Sequence, residues 1–386
     1  MNTTDIIDRI ESVIGPREAF TPLHIPIFDE REVELLRECV ESNMVSSVGA
    51  FGNRFEAALA DYTGAKRVVL CVNGTSALHL ALRVTGVQPG DEVMLPSLSF
   101  VATANAVRYA GAVPHFVDVR EAHFGMDPAA LQSRLEAIGE QRDGGLFNRE
   151  TGRPIRCVVP MHAFGHPVLI SELLAVAKRF GLALVEDAAE SLGSFYEGRH
   201  TGTFGDCGTL SFNGNKVITT GGGGALLFND DALADRAKYL STTAKRPHKW
   251  EFFHDELGYN YRMPALNAAM GCAQMEKLSG MLKQKRALAA RYAEAFADLD
   301  GVRFVTEPPG CQSNYWLNAL VLQSDSIETR NAILDATNAG NIMTRPIWTP
   351  LHALPMYADC PRGTLDVTRS LAKRIINIPS TAGLGR

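Results

Sequence analysis

Apolar and polar positions along this chain change between two periods, which predicts alternating strands and helices. Residues 67–72 form an unbroken apolar and β-branched run that predicts a buried strand. A turn at 73–76 and an amphipathic helical segment follow it, and residues 92–100 predict a second strand. The same order repeats as far as residue 190, so we expect an α/β fold with a mainly parallel sheet and helices on both faces.

Two segments fall outside this repeat and define the rest of the fold. Residues 139–156 are rich in glycine, asparagine and charge, and predict an exposed loop. Pro264 opens a long helical stretch with one apolar stripe that reaches about Leu299, and shorter strands and a helix follow it. We therefore expect two domains: an N-terminal segment with a large domain at 1–264, and a linker helix with a small C-terminal α/β domain at 265–386.

Composition and charge narrow the possible functions. Of the 386 residues, 46% are hydrophobic and 21% charged, as in soluble globular proteins, and the net charge of −5 disfavours general nucleic-acid binding. No apolar run is long enough to cross a bilayer, and acids interrupt the apolar residues of the first helical segment, unlike a secretory signal. The seven cysteines are dispersed and form no C-x-x-C pair, which predicts reduced thiols and a cytoplasmic location.

The first candidate site is the turn Gly74-Thr75-Ser76 between a predicted strand and a predicted helix. The first backbone N–H groups of a helix have no partner within it, and together with the helix dipole they form a site for an anion such as phosphate. An ordinary N-capped helix is the alternative, because serine and threonine also favour that position.

The second candidate site is the acidic segment from Glu186 to Glu190, which contains Asp187. Acids at the carboxyl end of a parallel strand lie where ligands bind in open α/β sheets. The alanines that follow Asp187 leave space for a bulky ligand. The alternative is an acid that caps the next turn.

The third candidate site is Lys216, which follows Ser211 and stands among asparagines and small residues with no other charge beside it. Four glycines at 221–224 allow close approach of the backbone, although a plain glycine hairpin would explain them too. The chain contains no Gly-Lys dipeptide and no G-x-G-x-x-G, which excludes a P-loop and a dinucleotide fingerprint.

Together the three sites suit pyridoxal 5′-phosphate. This cofactor needs its phosphate held, its ring nitrogen kept protonated and its aldehyde bound to a lysine amine. A phosphate-binding turn, a strand-end carboxylate and an isolated lysine supply these functions in that order along the chain. A metal site is not expected, because His162 and His166 have no nearby third ligand.

Over residues 25–379 the sequence resembles the DegT/StrS-type sugar aminotransferases, pyridoxal phosphate enzymes of fold type I. The segments GTSALHLAL (74–82), EDAAESLGSFYEGRHTGTFGD (186–206), SFNGNKVITTGGGGAL (211–226) and GYNYRMPALNAAMG (258–271) carry the resemblance. VSSVGAF (45–51) and TTAKRPHKWEF (242–252) are most similar to the C4 aminotransferases of the bacillosamine and legionaminic acid pathways.

The resemblance implies roles for the cofactor-binding residues. Lys216 would bind the cofactor aldehyde covalently, Asp187 would pair with the ring nitrogen, and Phe100 would stack on the ring. Glu190 would lie near the phenolic oxygen. The residues implied for the phosphate are Gly74, Thr75, Ser76 and Ser211.

The resemblance also implies residues for a partner subunit and for the substrate. Asn260 matches an asparagine that reaches the phosphate from the neighbouring subunit, which implies a homodimer with sites at the interface. Ser47, Trp250 and Tyr315 would contact the substrate, and simple packing remains the alternative for Trp250. Tyr315 and Trp316 are predicted to lie on an alternating strand, with Trp316 in the core.

The implied reaction moves an amino group from L-glutamate to C4 of a nucleotide-linked 4-keto-6-deoxy sugar, with UDP expected as the nucleotide. The cofactor would alternate between its pyridoxal and pyridoxamine phosphate forms, which gives ping-pong kinetics. A sugar dehydratase, a C3 aminotransferase and a non-catalytic regulatory protein that binds the cofactor remain alternatives. The presence of Lys216 argues against the dehydratase, because that branch of the family carries histidine there.

Overall fold

The computed structural model describes residues 3–15 and 19–384 of the chain. Within these ranges the chain forms eleven α-helices: α1 Thr3–Ile14, α2 Glu30–Glu41, α3 Ala50–Thr63, α4 Gly74–Val84, α5 Val101–Tyr109, α6 Pro128–Ile138, α7 Ile170–Phe180, α8 Asp231–Ser241, α9 Ala265–Ala295, α10 Ile327–Ala339 and α11 Asp366–Arg374. No helix of the described part is long and apolar enough to cross a membrane.

The same ranges contain sixteen strands, several of them only two residues long. They are β1 Arg67–Cys71, β2 Glu92–Pro96, β3 Val113–Val117, β4 Gly139–Arg142, β5 Gly145–Asn148, β6 Ile155–Val158, β7 Ala183–Asp187, β8 Phe195–Tyr196, β9 Arg199–His200, β10 Cys207–Ser211, β11 Gly224–Phe228, β12 Val302–Phe304, β13 Cys311–Gln312, β14 Asn318–Leu322, β15 Arg345–Pro346 and β16 Ile375–Ile378.

The main sheet has seven strands in the order β1-β11-β10-β7-β6-β2-β3. The four pairs from β10 to β3 are parallel, and only β11 runs against its neighbours. Alternate side chains of β1 pack into two different hydrophobic clusters, one on each face of the sheet. Val68 and Leu70 pack in the cluster that contains residues of α3 and α9, whereas Val69 and Cys71 pack with residues of α4 and α8. Helices therefore cover both faces, and the predicted α/β class is confirmed.

The second sheet is antiparallel, in the order β12-β14-β16-β15. Its core contains residues of α9 and α10, and also Ile6 and Ile10 of α1. The first helix thus packs on the C-terminal sheet, although we predicted it as part of the segment at 1–264. The two-domain division remains a prediction, and residues 1–2, 16–18 and 385–386 of it lie outside the described ranges.

The prediction of an exposed loop at 139–156 is wrong, because β4 and β5 pair there as a hairpin. Gly144 has a φ of +94°, a left-handed conformation that suits glycine in a tight turn. A residue that is distant in the sequence anchors the hairpin. Asn148 Nδ2 and Thr151 Oγ1 donate to the buried carboxylate of Glu92, at 2.9 and 2.5 Å. The exposed charges of β4 hid this pairing from the sequence pattern.

Two predicted strands in the C-terminal part are shorter than expected. The run at 315–322 forms a strand only over β14, and the run at 342–348 forms only the two-residue β15. Trp316 therefore lies in an irregular segment ahead of a strand. The long helix predicted from Pro264 is present as α9, with Pro264 as its N-cap residue.

Candidate active site

A cavity of about 340 Å³ opens at one edge of the main sheet. The strands β2, β6, β7 and β10 are parallel, and β1 has the same direction as β10 because each is antiparallel to β11. Their carboxyl ends therefore lie at the same edge, where ligands bind in open sheets. Seven predicted cofactor residues line the cavity: Gly74, Thr75, Phe100, Asp187, Glu190, Ser211 and Lys216.

The N-terminus of α4 forms one wall of the cavity. Asn73 caps the helix, and its Oδ1 accepts from the backbone N–H of Ser76 at 2.7 Å. The N-cap is therefore Asn73, and not the serine or threonine on which the alternative depended, and Ser76 lies outside the cavity lining. A Cβ on Gly74 would lie 2.9 Å from the Ser211 Cβ, so the absence of a side chain allows α4 to approach the end of β10.

Asp187, the last residue of β7, presents a buried carboxylate to the cavity. Thr103 Oγ1 donates to its Oδ2 at 2.7 Å, and the Ala189 backbone N–H donates to Oδ1 at 3.2 Å. Burial raises the pKa of Asp187, while the bond from Thr103 opposes that rise. A cation facing this carboxylate would favour its charged form.

Glu190 and Lys216 form a buried ion pair in which Nζ lies 3.3 Å from Oε1. The other carboxylate oxygen, Oε2, accepts from the backbone N–H of Phe164 at 2.9 Å. Burial raises the pKa of Glu190 to about 7, and the nearby charge of Lys216 opposes this rise. Glu190 is therefore a carboxyl group that can exchange a proton near neutral pH.

Two tryptophans that we did not predict as site residues, Trp316 and Trp348, line the cavity. Trp316 is a buried core residue, as predicted, although it does not lie on a strand, and the Lys216 Nζ lies 3.9 Å from its ring centroid. Trp348 lies 6.5 Å from Phe100 between ring centroids. The chain has only three tryptophans, and the scarcity of this residue was the one available signal. Thr103 was also missed, and its only signal was its position one turn after Phe100.

The remaining predicted site residues lie outside this cavity in the single chain. Ser47 lines a separate cavity of about 140 Å³ together with Lys238 and Arg262. Trp250 is 70% exposed, and Asn260 is exposed as well. Their predicted contacts with substrate or with a partner's cofactor stay predictions.

Tyr315, which we also predicted to contact the substrate, does not line this cavity. Its side chain is buried, its ring packs edge-on against His166, and its hydroxyl accepts from the backbone N–H of Glu307 at 3.1 Å. The strand predicted at 315–322 begins only at Asn318, so the alternation on which its direction depended is absent. Its contact with substrate stays a prediction.

His162, one of the two histidines that resemble a metal pair, has a structural role. His162 Nδ1 accepts from the Val168 backbone N–H at 3.2 Å, so its Nε2 carries the proton and donates to Glu186 at 3.0 Å. Glu186 also accepts from the backbone N–H groups of Gly202 and Gly205. Within residues 3–15 and 19–384, no three His, Cys, Asp or Glu side chains form a metal-binding group.

The donor set of the cavity fits pyridoxal phosphate on three observations. The α4 N-terminus with Thr75 and Ser211 offers backbone and hydroxyl donors to an anion. Asp187 offers an oriented buried carboxylate, and Lys216 an amine in the same cavity. The close approach of Gly74 to Ser211 leaves no space for a side chain between these elements.

Comparison with known proteins agrees with this geometry. The model of the DegT/DnrJ/EryC1/StrS aminotransferase family matches residues 26–386. EpsN of Bacillus subtilis is 37% identical, with 93% of this chain and 90% of EpsN covered. A GDP-perosamine synthase of Caulobacter vibrioides is 36% identical over 93% of this chain and 92% of its own.

A more distant relative and a solved structure extend the comparison. The dTDP-4-dehydro-2,3,6-trideoxy-D-glucose 4-aminotransferase of Saccharopolyspora spinosa is 31% identical over 88% of this chain and 86% of its own. The crystal structure of the aminotransferase TlmJ from Streptoalloteichus hindustanus superposes with a TM-score of 0.85 at 29% identity, with 94% of each chain covered.

These matches confirm the predicted enzyme class, a sugar aminotransferase, and the fold type I architecture. They also confirm the predicted cofactor, which members of the family share. The chain belongs to the DegT/DnrJ/EryC1/StrS aminotransferase family, and its cofactor is pyridoxal phosphate.

Proposed function

We propose that this enzyme transfers an amino group from L-glutamate to C4 of a nucleotide-linked 4-keto-6-deoxy sugar. The proposal rests on one observation: Lys216, Glu190 and Asp187 line the same cavity, beside the N-terminus of α4. Transamination needs an amine that can move a proton and a carboxylate that stabilises a protonated ring nitrogen. Both groups come from this chain's own sheet edge.

Lys216 is the residue that moves the proton. Bound pyridoxal phosphate supplies an aldehyde that condenses with amines and a ring that accepts an electron pair. With the cofactor bound, the Lys216 amine would take the proton from Cα of the donor and would give it to the carbon that carried the cofactor's aldehyde. Because Lys216 is the only amine among the residues that line the cavity, we assign both transfers to it.

Asp187 holds the proton on the ring nitrogen. Its two carboxylate oxygens are fixed by Thr103 and by the Ala189 backbone N–H, so it cannot rotate away from the cavity without breaking both bonds. Such a preorganised carboxylate stabilises a developing positive charge with little reorganisation. Thr103 acts here as a positioning residue.

Glu190 controls the charge beside Lys216. In the described structure its carboxylate is the group that forms an ion pair with the Lys216 amine. A carboxyl with a pKa of about 7 can accept a proton when Lys216 is neutral and lose it when Lys216 is charged. The total charge of the Glu190–Lys216 pair thus stays constant while the Lys216 amine gains or loses a proton.

The proposal includes a homodimer whose second subunit completes each site. Two features support it: Asn260 is exposed, and the neighbouring segment exposes several large apolar side chains, Trp250, Phe252, Phe253 and Leu257. Contiguous apolar side chains of this kind are typical of surfaces that bind another protein.

The nucleotide of the acceptor defines two candidate substrates. We predicted UDP from sequence resemblance, whereas the relatives at 36% and 31% identity are named for GDP-linked and dTDP-linked sugars. The second of these names supports amination at C4. A GDP-linked acceptor is therefore the second candidate.

Screening of acceptors tests the proposal. The enzyme would be incubated with L-glutamate and, separately, UDP-, GDP- and dTDP-linked 4-keto-6-deoxy sugars, and 2-oxoglutarate and amino sugar would be quantified. We expect equal amounts of both products with one nucleotide, and NMR assignment of the nitrogen to C4. Amine transfer only to a 3-keto isomer supplied as a separate acceptor, or loss of a sugar hydroxyl without amine transfer, would favour the alternative enzymes. No 2-oxoglutarate with any acceptor would favour the regulatory alternative.

A further inference from the structure

The Lys216 amine is enclosed between two groups of opposite chemistry. Glu190 lies on one side, 3.3 Å away, and the face of the Trp316 indole lies 3.9 Å away between Nζ and the ring centroid. An ammonium over the face of tryptophan is attracted by the electrons of the ring. The indole also occupies space into which the flexible lysine side chain would otherwise move.

Trp316 is itself fixed by hydrogen bonds. Its indole N–H donates to the backbone carbonyl of Asn215 at 2.6 Å, so the ring is tied to the residue next to Lys216. Its backbone N–H donates to Asn314 Oδ1 at 2.8 Å, and its backbone carbonyl accepts from Lys285 Nζ at 3.2 Å. Trp316 precedes β14 and has no strand pairing of its own, so these bonds determine where the indole lies.

Lys285 is a buried lysine whose role the proposed reaction does not explain. It lies on α9, is 1% exposed, and donates a second hydrogen bond to the Ser380 carbonyl at 2.6 Å. Among the described residues no carboxylate forms an ion pair with it, and burial lowers its pKa to about 7. Burial of an amine without an acid is costly. Its two carbonyl partners indicate that its function is to hold the Trp316 segment against α9.

We propose that Trp316 is a positioning residue that holds the Lys216 amine for proton transfer, and that Lys285 positions Trp316. The first part rests on the proposed function of Lys216. The second part needs only the contacts within the protein. The indole keeps the freed amine beside Glu190 and prevents it from turning toward solvent.

The first test measures the amine without cofactor or turnover. Cofactor-free protein would be acetylated with limiting acetic anhydride, and the rate at Lys216 read by peptide mass spectrometry. We expect W316L to raise this rate about tenfold, because the indole covers the amine and restricts its movement. W316F keeps an aromatic face and should raise it less. Equal rates in wild type and W316L would overturn the proposal.

Variants of Lys285 test the second part. K285M removes both donors and should raise the Lys216 acetylation rate in the same direction as W316L, whereas K285R should restore much of the wild-type rate. K283M makes the same substitution at an exposed position of the same helix and should leave the rate unchanged. If K285M matches K283M, Lys285 does not position Trp316. If K285M does not fold, the comparison of W316F with W316L still decides the role of the indole.

Kinetics separate this proposal from the proposed function. In the holoenzyme W316L should lower kcat of the glutamate half-reaction about tenfold and leave KM for glutamate within about twofold, because the indole acts on the amine and not on donor binding. Faster acetylation with an unchanged kcat would contradict the positioning role. A wild-type enzyme that fails to react with glutamate would refute the proposed function, and the acetylation rates would still test the positions of Trp316 and Lys285.

Discussion

Two sets of predicted site residues have opposite surroundings in this molecule. The cofactor cluster (Asp187, Glu190 and Lys216) is buried or nearly so, and its members line one cavity. The outer set (Ser47, Trp250 and Asn260) lies on half-buried or exposed segments, and none of its members lines that cavity.

The difference separates two parts of the proposed reaction. The cofactor cluster is complete within one chain, because parallel strands bring their carboxyl ends to one sheet edge. The contacts that we predict for the outer set, with the sugar nucleotide and with the phosphate, would come from residues that face outward. Under the proposed function, a second subunit brings these residues to a cavity. Variants of the cofactor cluster should therefore damage chemistry, and variants of the outer set should damage binding.

The largest effect should come from the cofactor cluster. Asp187→Asn keeps the shape of the side chain but removes the charge that stabilises a protonated ring nitrogen. We expect kcat to fall about 10²–10⁴-fold while the protein still binds cofactor, measured by stopped-flow reaction with L-glutamate. Asp61→Asn, at an exposed position, is the matched control. A wild-type rate in D187N would remove Asp187 from the mechanism.

Asn260→Ala should have the next largest effect and tests whether the outer set acts across subunits. Loss of a hydrogen bond to a charged phosphate predicts roughly ten- to hundredfold weaker cofactor binding. Co-refolding of N260A with Lys216→Ala should then restore up to about a quarter of wild-type activity, since half of the dimers would contain one intact site of two. A mixture as inactive as its components would place Asn260 in its own chain's site.

A pH-dependent effect on stability is expected for Glu190→Gln. Burial raises the pKa of Glu190 to about 7 from an ordinary value of 4.5, so the folded protein binds this proton more tightly than the unfolded chain. The resulting stability is complete below about pH 4.5 and is lost as the pH rises through 7. The unfolding free energy of wild type should therefore fall between pH 5 and pH 8. In E190Q this fall should be smaller by roughly 1–3 kcal/mol.

Urea unfolding of cofactor-free protein at the two pH values measures this difference. Glu172→Gln, which is exposed, controls for the loss of one surface charge. If the unfolding free energy of E190Q falls between the two pH values as much as that of wild type, Glu190 is not the group that causes the pH dependence.

The smallest effect should come from Ser47→Ala. One neutral hydroxyl contact supplies about 0.5–1.5 kcal/mol, so KM for the sugar nucleotide should rise only about two- to tenfold, with kcat and the glutamate half-reaction unchanged. Steady-state kinetics with saturating glutamate measures this. A changed rate of the glutamate half-reaction in S47A would contradict the division of roles, chemistry for the cofactor cluster and binding for the outer set.

The fold was predictable where a local period determined each element. The β-branched run at β1 and the apolar stripe of α9 both lie where the sequence placed them. The hairpin of β4 and β5 was not predictable, because its anchor is Glu92, far away in the sequence. Its exposed charged face resembles a loop in any local pattern.

The site shows the same limit. Gly74, Asp187 and Lys216 were recognisable because each lies in a turn or strand end with its own local chemistry. Trp316 is in the core as predicted, but its contact with Lys216 was not predictable, since the amine above its ring belongs to a segment a hundred residues away. Thr103 and Trp348 act through tertiary contacts that no nearby residue indicates.

The visible absorption spectrum tests the central claim, that one chain's cofactor cluster performs the donor half of the reaction. Spectra of wild type and Lys216→Ala would be recorded with added pyridoxal phosphate, before and after L-glutamate. We predict a band in wild type that requires Lys216 and that glutamate converts to the pyridoxamine phosphate spectrum. The same band in K216A, or a wild-type band that glutamate leaves unchanged, would contradict the claim.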